Sequence, residues 1–332
     1  MTTLRIATFN VENLDMPKDP NARPTLAERI AVLSPQLHRL RADVICLQEV
    51  HGQKVGRSYQ LEALRELLKG TRYEKFHMAH TTASPKSKSA MVYRNLVVLS
   101  RFPIKSSRQI LHDYFPSPVY QMQTANPPQA KAEPVTWERP ILHVEIELPD
   151  GQILNVVNVH LKSKLPTPIP GGKVDRFTWA NNAAAGEGAF LSSMKRVGQA
   201  AETRAFVDTL FDKDIESLVV VCGDFNADFD EVPVKMIRGM VEEHGNPDLI
   251  PRELIPCETS VAGDARYSIL HHGQGRMFDH LMISQALLHY YTNTTHVLNE
   301  TLKDESIAFA TDDKYPGSDH AAVVAEFILD EH

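Results

Sequence analysis

The sequence predicts an α/β protein in which two packed β-sheets are flanked by helices. Three observations carry this. Apolar strand-like runs recur from Leu4 to Ile328, and helical periodicities lie between several of them. Two neighbouring runs, Ile141 to Leu148 and Ile153 to Val159, flank Pro149-Asp150-Gly151 and read as a hairpin. Strands alternating with helices alone would give a doubly wound parallel sheet. The added hairpins favour two mixed sheets with helices outside.

The elements follow in order. Leu4 to Phe9 is a short strand ending at Asn10. Leu26, Ile30, Leu33, Leu37 and Leu40 repeat at helical spacing, with Pro35 expected to kink or shorten that helix. Val44 to Leu47 is a buried strand ending at Gln48-Glu49, and Tyr59 to Leu68 is a second helix. Strands are expected over Glu74 to Ala79, Ala90 to Tyr93 and Leu96 to Leu99, before the hairpin. Ser193 to Phe211 is the longest helix, followed by the strand Leu218 to Cys222 and the helix Val234 to Val241. Met277 to Ile283 and Ala322 to Ile328 are the last strands. The segments 112–138 and 164–188, rich in Pro, Gly and polar residues, read as long loop insertions. Loops of that length serve substrate contact or are mobile surface insertions.

The chain has 332 residues and no Pro/Gly/Ser-rich linker, so residues 1–332 are expected to form one domain. With 35 basic and 42 acidic residues the net charge is −7, which argues against a protein that coats nucleic acid through bulk charge. A catalytic cleft can still be locally basic. No run approaches the roughly 20 apolar residues of a membrane span, and the start shows no basic-then-apolar leader. A soluble, cytoplasmic protein is expected. Nothing demands assembly, so a monomer without an obligate protein partner is the expectation. Three cysteines, Cys46, Cys222 and Cys257, lack any CxxC pattern and read as buried thiols.

The strand ends carry the chemistry. Asn10, Glu49, His160 and Asp224 each lie at or just past the end of an apolar run. If those strands are neighbours, their ends meet at one rim. Leu218 to Cys222 runs into Gly223-Asp224-Phe225-Asn226, and Ser318-Asp319-His320 stands near the end of the chain. Two residues apart in extended backbone, Asp224 and Asn226 share a face. There a carboxylate can orient or deprotonate water while an amide donates to a phosphoryl oxygen. Glu49 is the first candidate ligand for a hard cation such as Mg²⁺, with Asp319 second and Asn10 contributing its carbonyl oxygen. His160 and His320 offer imidazoles that can act as base, acid or phosphate ligand. Asp279 either orients one of them or protonates a leaving oxygen. Arg139, Lys162, Lys164, Lys86 and Lys88 are candidate phosphate contacts or solvated loop charges. Tyr120, Trp137, Phe177 and Trp179 stack on bases or pin the long loops.

The ordered segments resemble the endonuclease/exonuclease/phosphatase superfamily of DNase I-like metal-dependent phosphoesterases. They are Thr8-Phe9-Asn10, Leu47-Gln48-Glu49, Leu99 to Ile104, Asn158-Val159-His160-Leu161, Gly223-Asp224-Phe225-Asn226, Phe278 to Ser284 and Ser318-Asp319-His320. The resemblance spans residues 8 to 320 and implies a four-layer α/β/β/α sandwich with its site at one rim. It implies that Asn10 and Glu49 hold the metal near Asp319, and that His160 and Asn226 contact the scissile phosphate. Asp224 would position the water, and His320, supported by Asp279, would bind phosphate or act as base.

The chain lacks the Asn-Gly-Phe-Thr and Arg-Leu-Asp-Tyr segments of abasic-site endonucleases and the Pro-x-Trp-Cys-Asp-Arg segment of inositol-polyphosphate 5-phosphatases. Arg139-Pro140, His160 to Lys164, and Arg196, Gln199 and Ala200 are closer to bacterial DNase-type nucleases. The expectation is a phosphodiesterase dependent on Mg²⁺ or Mn²⁺ (Ca²⁺ also fits), acting on DNA or RNA. The alternative keeps the site but takes a small phosphorylated metabolite, nucleotide or lipid headgroup. The intact set of polar residues argues against a scaffold on a dead fold.

Overall fold

The computed structural model describes residues 2–19, 21–304, 306 and 314–329. Twelve strands make two six-stranded sheets. They are β1 (Thr2–Leu14), β2 (Val44–Val50), β3 (His77–His80), β4 (Asn95–Ser100), β5 (Ile104–Ile110), β6 (Ile141–Glu147), β7 (Ile153–His160), β8 (Leu218–Asp224), β9 (Ile255–Pro256), β10 (Asp279–Ile283), β11 (Tyr291–Val297) and β12 (Val323–Leu329). The first sheet runs β11-β12-β1-β2-β4-β3 and the second β9-β10-β8-β7-β6-β5. Each contains one central parallel pair, β1 with β2 and β7 with β8, among antiparallel neighbours.

Side-chain alternation sets the layers. Leu4, Ile6, Val44, Cys46, Val323 and Ala325 of the first sheet meet Leu142, Val144, Leu154, Val156, Val220 and Cys222 of the second in one inter-sheet core. The intervening residues Ala7, Phe9, Ile45, Leu47 and Val324 face outward onto α1 (Leu26–Leu40) and α2 (Glu62–Leu68). On the far side, Val157, Val159, Val219 and Val221 pack on α3 (Asn182–Lys213) and α4 (Val232–Arg238). Because both faces of the central strands are buried, the runs read as continuously apolar. The result is an α/β/β/α sandwich.

Several boundaries differ from expectation, each for a local reason. Pro35 neither shortens nor ends α1, which runs through to Leu40. A capping box of Thr25 and Glu28 starts the helix, and Leu33, Leu37 and Leu40 anchor it. Residues 90–93 form no strand. The Asn95 side chain holds Met91 instead, accepting from its N at 2.8 Å and donating to its O at 2.8 Å, and it also donates to Val50 O at 2.9 Å. The Glu74-to-Ala79 strand is half a 3-10 turn, Arg72–Lys75, capped by Thr71, with β3 beginning only at His77.

Helix α3 begins eleven residues before Ser193, inside the expected loop, where Asn181 Oδ1 caps Ala184 N at 2.8 Å. The Ala- and Gly-rich start, Asn182 to Gly188, has no apolar stripe to announce it. Both insertions pack against that extension. Glu187 accepts from Tyr120 Oη at 2.9 Å and Thr124 N at 2.8 Å, and Ala125 and Ile169 close over Leu191. Trp137 is buried and donates to Glu202 Oε2 at 2.7 Å, so it pins a loop and does not stack on bases.

Candidate active site

Register brings the second sheet's polar ends into one row. His160 pairs with Asp224 across the parallel β7–β8 ladder, and Asp224 pairs with Asp279 across β8–β10. Gly223 makes this row possible. Its φ is +141°, and a Cβ there would lie 1.9 Å from Val159 O. The first sheet supplies the opposing rim. Asn10 and Gln48 close the regular β1–β2 register, which then shifts before Leu14/Val50. That irregularity releases Glu12, Asn13 and Glu49 into left-handed backbone, with φ of 45°, 48° and 62°.

Beneath the rim the two sheets are stitched by polar contacts. Gln48 Nε2 donates to Thr8 Oγ1 at 3.0 Å and to Asn158 Oδ1 at 2.8 Å, while Asn158 Nδ2 lies 3.1 Å from Leu47 O and Val97 O. These buried amide contacts fix one sheet edge against the other, although Gln48 Oε1 is left without a partner.

Asp224 is the hub. Its Oδ2 accepts from Asn10 Nδ2 and Asn226 Nδ2, both at 3.0 Å, and lies 3.1 Å from His160 Nε2 and 3.9 Å from His320 Nε2. Its Oδ1 accepts from Asn226 N at 2.8 Å. Burial alone would raise the carboxyl, but the two imidazoles and the Asn226 amide more than offset it and hold it far below the usual carboxylate range.

The two histidines are set in opposite states. Burial and then the Arg139 guanidinium push His160 down, towards the neutral ring. Arg139 Nη1 lies 2.9 Å from Nδ1 and 2.8 Å from Nε2, and Arg139 is only 2% exposed. Burial opposes charge on His320 too, yet Asp279, Asp224 and Asp319 push it well up. His320 Nδ1 donates to Asp279 Oδ2 at 2.7 Å. Its Nε2 faces Asp224 and Asp319, each 3.9 Å away, a gap too long for a hydrogen bond.

A third group is carboxylic. Glu49 Oε2 accepts from Asn13 N at 3.0 Å, and Oε1 lies 3.6 Å from His160 Nε2. Glu12 Oε2 accepts from Asp319 N at 3.1 Å. Burial and then Asp319 push the Glu12 carboxyl up to about 8. Burial is also the main reason Asp319 is raised, and Glu49 adds to it. Asp319 Oδ1 is buried with no hydrogen-bond partner. Glu12, Glu49 and Asp319 are oxygen donors, and the orphaned Asp319 oxygen suits the ligand preference of a hard divalent cation. Asn10 spends its amide on Asp224, and its Oδ1 already accepts from Glu12 N at 2.9 Å, so one lone pair is left for a metal. Ligand atoms of Asp224, Asp279 and His320 also lie within 4.8 Å of one another. That trio is already bonded internally, His320 to Asp279, and it holds a charged ring, which leaves Glu12, Glu49 and Asp319, whose ligand atoms do not all come within that distance of one another, as the candidate cation donors.

The carboxylate, amide and imidazole residues expected from sequence come together at this rim, whereas the long-segment aromatics Tyr120 and Trp137 bond Glu187 and Glu202. Arg139 lies behind His160 and does not stand exposed beside it. Lys162 is 8% exposed, with Nζ 2.9 Å from Ser163 Oγ. Lys86 and Lys88 are exposed loop residues, and Lys164 pairs with Glu231 at 2.7 Å.

Sequence reasoning missed Glu12, Arg29 and Ser268. Glu12 repeats at Asn10 the two-residue spacing of Asp224 and Asn226, which was a readable signal. Arg29 stands in the apolar stripe of α1, four residues before Leu33. Its guanidinium donates to Glu12 O at 2.5 Å, Val11 O at 2.7 Å and Asn13 O at 3.3 Å, and to Pro316 O at 3.2 Å and Gly317 O at 3.3 Å. One buried cation therefore ties the Glu12 loop to the Asp319 loop. Ser268 Oγ accepts from Asp279 N and Phe278 N, both at 3.0 Å, and no local pattern announces it.

Two imidazoles, a hub carboxylate and a set of neighbouring carboxyls thus meet at one rim of a four-layer sandwich, and the family that shares this arrangement is one of hydrolytic enzymes. The chain belongs to the Endonuclease/Exonuclease/phosphatase family, whose sequence model matches residues 7–320. No curated protein matches it in sequence. Among solved structures it is similar to an endonuclease/exonuclease/phosphatase family protein from Bacteroides thetaiotaomicron, with 13% identity, coverage of 99% of this chain and 96% of that one, and a TM-score of 0.58. TDP2 from D. rerio complexed with a single-strand DNA product is similar at 16% identity, 99% and 100% coverage and a TM-score of 0.55. An AP endonuclease from Archaeoglobus fulgidus follows at 14% identity, 98% and 100% coverage and a TM-score of 0.52. At these identities the likeness concerns the fold. Among the described residues, no helix is long and apolar enough to cross a membrane.

Proposed function

We propose that the chain is a divalent-metal-dependent phosphodiesterase acting on DNA or RNA, with residues 1–332 working as one catalytic unit. The observation that carries the reading is the convergence on Asp224 Oδ2 of Asn10, Asn226 and His160 at 3.0–3.1 Å, with the unsatisfied Nε2 of His320 3.9 Å away. An oxygen placed in that gap would meet a proton donor, an amide and an ionised carboxylate together.

Asp224 orients the attacking water, held ionised by its neighbours. His320, kept charged by Asp279, donates from Nε2 to a phosphoryl oxygen. Asn226 Nδ2, now shared between Asp224 and Leu161 O at 3.1 Å, is a second donor to phosphate. Glu12, Glu49 and Asp319 would hold Mg²⁺ or Mn²⁺, which when bound would supply positive charge to the phosphate and the leaving oxygen. His160, neutral and backed by Arg139, donates without adding charge. The nucleic-acid assignment draws on the Arg139-Pro140 and His160-to-Lys164 segments and on the DNA product held by the D. rerio structure.

The test runs purified protein, stripped by chelator and then restored with Mg²⁺ or Mn²⁺, against plasmid, single-stranded DNA, RNA and a panel of small phosphate esters. Metal-restored cleavage of a nucleic acid is expected. Phosphate release confined to small esters would replace this reading with the metabolite phosphatase.

A further inference from the structure

Beside the carboxylic cradle the charge reverses. Arg139 is buried, its Nε has no hydrogen-bond partner, and its nearest carboxylate contact beyond the catalytic row is Glu138 Oε2 at 3.7 Å. Lys195, on α3, reaches the other oxygen of the same carboxylate at 3.4 Å. The Lys162 amine donates only to neutral oxygens, Ser163 Oγ at 2.9 Å and Leu165 O at 3.3 Å. Arg94 is spent on Glu49, 3.8 Å away. Burial pulls Lys162 down to about 8. Glu138 opposes this, and Arg139, Lys195 and Arg94 deepen it, so these cations are close enough to repel one another. Arg139 and Lys195 thus share one carboxylate, with the Lys162 amine beside them bonded only to neutral oxygens, in a protein whose net charge is −7. Glu138 is also the most replaceable member, since its side chain is 38% exposed.

We infer that Arg139, Lys162 and Lys195 form a second phosphate subsite next to the scissile position, which Glu138 fills when no substrate is bound. The inference rests on the phosphodiesterase reading and deepens it. The preferred substrate carries a further phosphate flanking the one that is cut, as an oligonucleotide backbone does and an isolated phosphomonoester does not. When that phosphate enters, Glu138 swings outward and the crowded ammonium and guanidinium groups gain an anion. Arg196 supports the arrangement by donating to Lys162 O and Ser163 O, both at 3.1 Å, which fixes the loop that carries Lys162.

The test measures binding first, in chelator, so that it does not depend on turnover. Fluorescence anisotropy follows a labelled dinucleotide with a 5′-phosphate, and the same dinucleotide without it, on wild type, Lys195→Ala and Glu138→Gln. A melting curve for each variant establishes that it is folded. For the doubly charged ligand, Lys195→Ala should raise Kd about tenfold, the scale of one charge-assisted hydrogen bond. Glu138→Gln should lower Kd, because it removes the competing anion. The difference between the two ligands should shrink in Lys195→Ala. Equal Kd values across the three proteins, or weaker binding in Glu138→Gln, overturn the subsite. Turnover is the second arm. The ratio of kcat/KM for a trinucleotide to that for bis(p-nitrophenyl) phosphate should fall about tenfold in Lys195→Ala. Wild-type protein that binds as expected but cuts neither diester would refute the hydrolase reading instead, so the two failures are distinguishable.

Discussion

Two buried imidazole–carboxylate pairs sit on neighbouring residues of one strand and have different fates. His280 Nδ1 meets Glu258 Oε1 at 2.7 Å, and His320 Nδ1 meets Asp279 Oδ2 at 2.7 Å. Both rings are raised above their ordinary value. In each case burial opposes charge and the carboxylate more than offsets it. The second nitrogen separates them. His280 Nε2 donates to Ala227 O at 2.9 Å, and Phe225 and Phe229 pack edge-on against its ring. His320 Nε2 ends 3.9 Å from two carboxylates. His280 is complete, so its pair serves the fold. His320 is one acceptor short, so its pair is available to a substrate. Strand alternation produces the split, because Asp279 points to the rim and His280 to the opposite face of β10.

The contrast can be broken by experiment, and the largest effect belongs to the open pair. His320→Ala should lower kcat about a thousandfold, the range for losing a positioned proton donor and its charge, while the melting temperature stays near wild type. Activity within tenfold of wild type would mean that the open nitrogen does nothing. The closed pair should behave in the reverse way. Glu258→Gln leaves a buried imidazole without its counter-charge and should cost about 3 kcal/mol or more in urea unfolding, with the turnover of the folded fraction retained. A variant as stable as wild type would remove the distinction. Asp279→Asn tests the link inside the open pair. It should lower kcat about 10- to 100-fold, the usual scale for losing a carboxylate that orients an imidazole. Removing the anion also lowers the His320 pKa, so the alkaline limb of the kcat–pH profile should move to lower pH. An unmoved limb would show that Asp279 does not tune His320.

The same contrast shows what a sequence can and cannot reveal. Asp224, Asn226, His160 and Glu49 were legible because each ends an apolar run, and a run that stops at a polar residue marks a rim. Asp279 and His280 look alike in sequence, yet which one reaches the site depends on which face of β10 looks where, and that follows from pairing with β8. The edge strands β5 and β11 went unseen because Lys105 to Arg108 and Tyr291 to Thr295 carry little apolar pattern. An edge strand is held by its ladder to a neighbour and needs no apolar face of its own. Glu12 and Arg29 were hidden for a different reason. Their roles depend on a register shift between β1 and β2, and on a loop more than 280 residues away in sequence meeting α1.

The smallest effect is the pH dependence of stability, and it separates the two pairs once more. A histidine raised in the folded state binds its proton more tightly there than in the unfolded chain. Its contribution is therefore complete below the unfolded pKa of roughly 6.5 and disappears as pH rises through the folded value. Both His280 and His320 contribute with this sign, so in chelator the urea midpoint of the wild type should fall as pH climbs above neutrality. Glu258→Gln should flatten that decline by the His280 share and leave the His320 share in place. Adding Mg²⁺ should change the remaining slope and leave the removed part untouched, because a cation held as proposed by Glu12, Glu49 and Asp319 would stand beside His320, while His280 lies on the far face of β10. If Mg²⁺ altered the wild-type and Glu258→Gln slopes by different amounts, the closed pair would be coupled to the cradle, and His280 could no longer be regarded as structural alone.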